Sequence, residues 1–345
     1  ESSLDYDIPE CESWTMTWLR HRLGEEMSEE DYRRGRAYTM VNKYVSSAAH
    51  LRGKRLVSCE EMTNTYTVFN MTLELLKIGG DQTAISGVTH SIFHGFNYSP
   101  KEAPFPGWIR YGAYYNENNN WWPYFKYYTA YKGRMASALQ HGTMYADIAI
   151  LHPIADMWST LGMQNEPFPA TTNVKYKTLV WEAIHKNGSG CDYVSESIIR
   201  DAEMKDGYLC YGPRKYKTLF LIEVESMEPA TAHKLYDFVA SGGRIFCIEA
   251  YPHKSVGLKD HDKHDKEVQE WVAKMKQMDG RFILLHKPEK DFVGWYQGVQ
   301  KDYGLTPYMT IEKPDPYLMQ NRYQGDNREE MFFFSYAHRY NSHQT

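Results

Sequence analysis

The sequence has no apolar run long enough to cross a bilayer, no excess of basic charge, no paired-cysteine motif and no glycine-rich nucleotide loop. Each absence removes a class of function. A membrane helix needs ~20 consecutive apolar residues, so no membrane-spanning segment is expected. The 39 Lys and Arg against 44 Asp and Glu give a formal charge of -5, and the basic residues are scattered rather than gathered on a stripe. Nucleic acid is therefore not an expected partner. Cys11, Cys59, Cys191, Cys210 and Cys247 form no CxxC pair and are odd in number. Neither a zinc knuckle nor a complete disulfide framework follows, and they read as small buried hydrophobes. The opening residues Glu1 to Leu4 have neither the basic nor the apolar part of a leader peptide, so the chain itself carries no address.

What is abundant is aromatic surface, 15% of residues with 28 Tyr and 9 Trp. Much of it lies among Asn, Gly and Pro rather than in periodic elements. Flat apolar rings beside polar amides suit a sugar, which has C–H faces and a hydroxyl rim; a large aromatic core accounts for the composition equally well.

At 345 residues, two domains are the default expectation. Residues 30 to 52 read as a helix with Ser28 as N-cap, Glu29 and Glu30 in the first turn, and Gly53 as its end. A strand over Arg55 to Cys59, a helix over Val68 to Ile78 stopped by Gly79-Gly80, and a strand over Val88 to Phe93 follow. This order predicts parallel strands with crossover helices. From His94 to Trp122 the chain has no stable period and reads as a long functional loop. A helix over Pro123 to Leu139 closes the unit, and the domain boundary is placed near Gly142. The next unit alternates again, with helices over Tyr176 to His185 and Pro229 to Ala240, and strands over Leu219 to Ile222 and Arg244 to Ile248, a three-layer α/β pattern. Short strands after Pro314 begin a β-rich segment, and the chain reads as a fragment of a longer protein.

In a (β/α) barrel the catalytic groups stand at the carboxyl ends of the strands. Three such ends are legible: Tyr6 to Glu12, Ser58 to Thr63, and Phe93 to Tyr98. Glycosidic cleavage uses two carboxyl groups, ~5–5.5 Å apart in retaining and ~6.5–9.5 Å apart in inverting enzymes, a spacing that neighbouring strand ends can give. Glu60 can point into the mouth, with Glu61 turned away by alternation; a solvent-exposed loop acid is the plainer reading of Glu60. Glu10 and Glu12 flank Cys11 and share one side, as cleft residues, a surface pair or cation ligands. His90, inside its strand, reads as a satisfied core histidine, and His94 at the strand end as the better partner for a sugar hydroxyl.

At these same strand ends the chain resembles glycoside hydrolase family 106, the α-L-rhamnosidases. The segments that carry the resemblance are Asp7 to Glu12; Ser46 to Leu51 with Gly53-Lys54 and Val57 to Glu60; Gly87 to His90 with His94 to Pro100; and Pro106 to Trp108 with Asn120 to Pro123. They come in order over roughly the first 150 residues. The family's Ser-Ala-Glu-Ala-Phe-Thr-like segment places its glutamate at Glu60, which implies a base or nucleophile there. Cys59, Glu61 and Met62 depart from that pattern, which leaves a shift to Glu61 open. The barrel strands expected to bear the proton donor are not in this chain.

The resemblance implies the C-terminal part of a (β/α)8 TIM barrel over 1–142, a Rossmann-like, glutamine-amidotransferase-like α/β accessory domain over 143–313, and the start of a β-rich region over 314–345. It implies hydrolysis of a terminal bond, most simply of α-L-rhamnose in plant-type or microbial glycans, in a secreted or periplasmic protein. Calcium is implied as the cofactor, although no calcium loop is legible. The site expected from the residues and the resemblance together has Glu60 as the catalytic residue, Glu10, His94 and Asn97 on sugar hydroxyls, Trp108, Trp121 and Trp122 as stacking surface, and Glu12 and Tyr98 as further substrate-binding residues. A non-catalytic carbohydrate-binding protein, a β-galactosidase-like glycosidase and an α/β scaffold for protein partners are the rival readings.

Overall fold

In a computed structural model of the chain, residues 2–14, 41–63, 69, 71–108, 112–161 and 177–336 are described. The expected cap Ser28 and the start of the first helix lie outside them. The chain divides into two units. One comprises Ser2–Ala49, Lys54–Met144 and Tyr317–Thr345, and the other His50–Gly53 and Tyr145–Pro316.

The first unit is built on three parallel strands in the order β1 (Glu10–Trp14), β2 (Ser58–Thr63) and β3 (His90–Phe93). Side chains alternate across such a sheet. One face carries Cys11 and Cys59, which pack with Val57 and Val88 against Val45 and Ala49 of the helix over 41–51. The other face carries Glu12 and Glu60 in register with each other and with Ile92. The ladder of β2 starts later than expected. Arg55 to Val57 lie outside it, the Val57 amide donating to the Thr89 hydroxyl at 3.0 Å, and the strand runs on to Thr63, so Glu60 sits inside the strand and not after it.

The following helix spans Leu73–Ile85, with the Thr72 hydroxyl accepting from the Leu75 amide at 3.2 Å as N-cap. It runs through Gly79-Gly80, which were expected to stop it. A β-carbon on Gly80 would lie 2.6 Å from the Tyr128 hydroxyl. The bare backbone there serves close approach to the helix Trp122–His141, on which Tyr128 and Lys132 lie, and not chain termination. Pro123 stands at the start of that second helix, where its missing N–H costs nothing. β4 (Gly142–Met144) follows.

The second unit has a five-stranded parallel sheet in the order β12-β11-β10-β5-β6, made of β5 (Ile148–Leu151), β6 (Cys191–Val194), β10 (Thr218–Ile222), β11 (Arg244–Ile248) and β12 (Phe282–Leu285). β5, β6 and β10 are buried at every residue, as strands covered on both faces must be. Helices Lys177–Lys186, Pro229–Ala240, His261–Lys276 and Phe292–Tyr303 connect or follow these strands. A small antiparallel sheet joins β7 (Glu203–Lys205), β8 (Tyr208–Tyr211) and β9 (Arg214–Tyr216). Buried Asp192 accepts from the Tyr216 hydroxyl at 2.9 Å and lies 2.7 Å from His50 Nδ1, which satisfies its charge inside the unit.

β13 (Leu318–Gly325) and β14 (Glu330–Tyr336) form an antiparallel pair, and β13 also pairs with β4. These strands therefore belong to the first unit and do not stand apart as a separate region from 314. Among the described residues, no helix is long and apolar enough to cross a membrane.

Candidate active site

Three residues of the strand rim converge. Glu12 and Glu60 are direct neighbours on β1 and β2. His94 follows β3, and its backbone amide donates to the Glu61 carbonyl at 2.9 Å, which extends the ladder by one residue and fixes where its ring starts. The His94 Nδ1 lies 3.6 Å from Glu60 Oε1. One ligand atom from each of Glu12, Glu60 and His94 falls within 4.8 Å of the others. Both Glu60 and His94 are partly open to solvent, 44% and 32% of their side-chain surface, so incoming ligand can reach them.

The fourth member is Thr63, which the sequence reading passed over. Its hydroxyl donates to Glu12 Oε1 at 2.9 Å and is 2.9 Å from His94 Nδ1. Strict alternation from Glu60 would turn Thr63 to the opposite face with Glu61. The register shows why it does not: Glu12 pairs with Glu60, but Trp14 pairs with Thr63, so β2 carries one extra residue. Met62 absorbs it at φ +68°, its amide donating to the Ser13 hydroxyl at 3.4 Å. Such a bulge re-aims the side chain that follows it.

Glu61 lies behind the sheet. Its Oε1 accepts from Lys132 Nζ at 3.0 Å and from the Ser91 hydroxyl at 2.9 Å, fully shielded from solvent. Burial, and after it the Glu61 charge, push the Tyr115 and Tyr128 hydroxyls well above the usual phenol range, so both stay protonated around this ion pair. The open face therefore receives Glu60, and Glu61 holds the sheet to the helix behind it.

Glu10 is exposed one step back along the Glu12 face. His90 is exposed there as well, with Nδ1 3.4 Å from the Ser58 hydroxyl; it is not the core histidine that its place in mid-strand suggested. In the loop after His94, Phe96 bridges to Tyr115, and the Asn97 carbonyl accepts from the Asn116 side chain at 2.9 Å. Half-buried Asn97 thus takes part in ordering the loop. Tyr98 and Trp108 are 71% and 70% exposed, and Trp122 is half-buried, stacked on Phe125. Trp121 is not stacking surface. It lies in the core with Met62, Leu76 and Tyr115, and its indole N–H donates to the Met71 carbonyl at 2.6 Å.

Two carboxylates on one face of adjacent parallel strands, with an imidazole just past the carboxyl end of the third, within a mixed α/β fold, make up the type of site that barrel glycosidases carry. Residues 3–303 match the glycoside hydrolase 106 family model, alpha-L-rhamnosidase, and the chain belongs to that family. It superposes on a rhamnosidase from Novosphingobium sp. PP1Y with a TM-score of 0.66 at 19% identity, covering 96% of this chain and 29% of that one. It also superposes on Gan42B, a GH42 β-galactosidase, with a TM-score of 0.59 at 11% identity, covering 97% and 59%. A curated relative from Formosa agariphila, "Putative beta-glucuronidase", is 29% identical over 228 residues, 66% of this chain. The chain spans only 18% of that relative's length.

Proposed function

We propose that the full-length protein is a glycoside hydrolase that removes terminal α-L-rhamnose, and that this chain contributes the C-terminal strands of its (β/α)8 barrel followed by an amidotransferase-like accessory domain. The observation that carries the reading is the convergence of Glu12, Glu60 and His94 at one strand rim in a chain of this family. Glu60 acts as the base that draws a proton from water as it attacks the anomeric carbon. Glu12 and His94 bind and orient sugar hydroxyls, with Glu10 at the start of β1 and Asn97 in the loop after His94 as further partners, and Tyr98, Trp108 and Trp122 offer rings to the sugar's C–H faces. The ligand oxygens of Glu12 and Glu60 stand within 4.8 Å, closer than the ~6.5–9.5 Å that an inverting pair needs to admit a water. Glu12 is therefore too close to be the acid of an inverting pair with Glu60, and for that course the proton donor would come from outside these residues.

Calcium takes six to eight oxygen donors. Glu12 and Glu60 offer carboxylate oxygens, and the His94 nitrogen is not of that kind, so the two glutamates would hold the ion, with water and sugar hydroxyls supplying the remaining oxygens. Bound there, it would add a fixed positive charge that orients hydroxyls.

The test is Glu60→Gln in the full-length protein, assayed on a panel of aryl glycosides. The rhamnoside should be the one cleaved, with turnover falling by roughly 10²–10⁴-fold or more on loss of the base. Unchanged turnover in the variant removes Glu60 from the chemistry, and cleavage of a different glycoside alone removes rhamnose.

A further inference from the structure

We infer that Thr63 is a positioning residue, placed by the Met62 bulge so that one hydroxyl orients both Glu12 and His94. The inference rests on the glycosidase reading of the rim for its kinetic consequence, but its structural content is independent of it.

A threonine hydroxyl has one hydrogen to give and lone pairs to accept with. The Thr63 hydroxyl gives that hydrogen to Glu12 Oε1 at 2.9 Å. The contact of 2.9 Å to His94 Nδ1 must then be a bond that Nδ1–H donates. The imidazole proton is in this way assigned to Nδ1, the nitrogen that also faces Glu60 Oε1 at 3.6 Å. A ring whose Nδ1 holds the proton presents Nε2 as the other face of the group, and a hydrogen bond at one nitrogen is what selects the tautomer at the other. The same hydroxyl stops the Glu12 carboxylate from rotating away from the rim. A hydroxyl suits this, since it gives to an acid and takes from an imidazole at one atom, and serine or threonine carries it at the short reach of these bonds.

The backbone is arranged for the purpose. Without the extra residue in β2, the side chain at 63 would fall on the face of Glu61, which is closed by Lys132 and Ser91. Met62 adopts φ +68°, a conformation that non-glycine residues rarely take, and its side chain is buried in the cluster with Met71, Leu76 and Tyr115, which holds the bulge in place. Backbone strain kept by surrounding packing next to converging polar groups is a mark of a functional position.

The experiment compares Thr63→Val, which keeps the shape and removes the hydroxyl, with Thr63→Ser, which keeps the hydroxyl, in the full-length protein. Two readouts are taken. In protein labelled with 15N-histidine, with His94→Gln identifying the resonances, the native ring and the Ser variant should show the Nδ1–H form and the Val variant a mixture. On the aryl rhamnoside, Val should lower kcat by ~10–100-fold, the scale of losing an orienting partner, with KM changed far less, and Ser should restore most of it. An unchanged His94 signature in the Val variant, or a Ser variant as impaired as Val in both readouts, overturns the proposal. A native protein that cleaves no aryl glycoside overturns the glycosidase reading instead, and the histidine resonances still decide the role of Thr63.

Discussion

Lys132 Nζ lies 3.0 Å from Glu61 Oε1, with 7% and 0% of the two side chains exposed. Lys132 also donates to the Gly80 carbonyl at 3.3 Å, so one ammonium joins strand β2 to the helix Leu73–Ile85. Removing one partner of a buried pair strands the other charge, at a cost of ~3–5 kcal/mol. Glu61→Gln and Lys132→Met should each lower unfolding free energy by that order. The double variant should lose clearly less than the sum, because no unpaired charge remains. Denaturant unfolding of the four proteins checks this, and additive losses would show that the two groups do not act as a pair.

A second packing relationship sits a turn away. The β-carbon of alanine at 80 would meet the Tyr128 hydroxyl at 2.6 Å, and that hydroxyl is held by its bond to the Leu76 carbonyl at 2.7 Å. Gly80→Ala should therefore destabilise by ~1–3 kcal/mol through overpacking, despite the ~1 kcal/mol that alanine adds to a helix interior. Tyr128→Phe in the same chain removes the obstructing atom. It should recover part of the loss, as followed by thermal unfolding.

These two contacts also show what was legible in the chain. The parallel strands Thr218–Ile222 and Arg244–Ile248 and the helix Pro229–Ala240 were readable because continuous apolar runs, a proline at a helix start and glycines after its end each have one dominant local meaning. Gly79-Gly80 was misread, because a glycine that permits close helix packing looks like one that ends a helix until the opposing Tyr128 is known. Lys132 gave no signal, since a lysine in a helix ordinarily faces water. At the site, Glu60 and His94 could be picked out from their position after β-rich runs. Thr63 could not, because alternation is a valid rule only while the ladder is regular, and the bulge at Met62 involves neither glycine nor proline. Trp121 was drawn toward the cleft by its neighbours Asn116 to Asn120, although its ring closes the core.

The tryptophans separate cleanly by experiment. Trp121→Ala removes a ring buried with Met62, Leu76 and Tyr115 and leaves the Met71 carbonyl without its indole donor; a loss of ~3–5 kcal/mol is expected. Trp108 is largely exposed, and Trp108→Ala should change stability by no more than ~0.5 kcal/mol. If its ring stacks on sugar, KM should rise roughly 2–10-fold, the equivalent of ~0.5–1.5 kcal/mol of aromatic contact, with kcat kept. A stable Trp121→Ala protein would place that ring outside the core, and an unchanged KM in Trp108→Ala would remove it from the sugar site.

The last prediction concerns a cation at the rim. Glu12 and Glu60 bring two carboxylates into one 4.8 Å cluster with His94, and like charges so close favour either a bound cation or donors such as Thr63 between them. If calcium is held there, a chelator should lower rhamnoside turnover of the full-length protein, and added calcium should restore it in a saturable way. Glu12→Gln, which removes one anionic ligand and keeps the shape, should then raise the calcium concentration needed for half-restoration by an order of magnitude or more, ~1.4 kcal/mol of lost affinity per tenfold. Turnover indifferent to chelation would mean that the neighbours already present, the Thr63 hydroxyl donating to Glu12 and the His94 ring beside Glu60, suffice to hold the two carboxylates together. In that case Glu12→Gln should act on the sugar directly, by raising KM without any dependence on calcium.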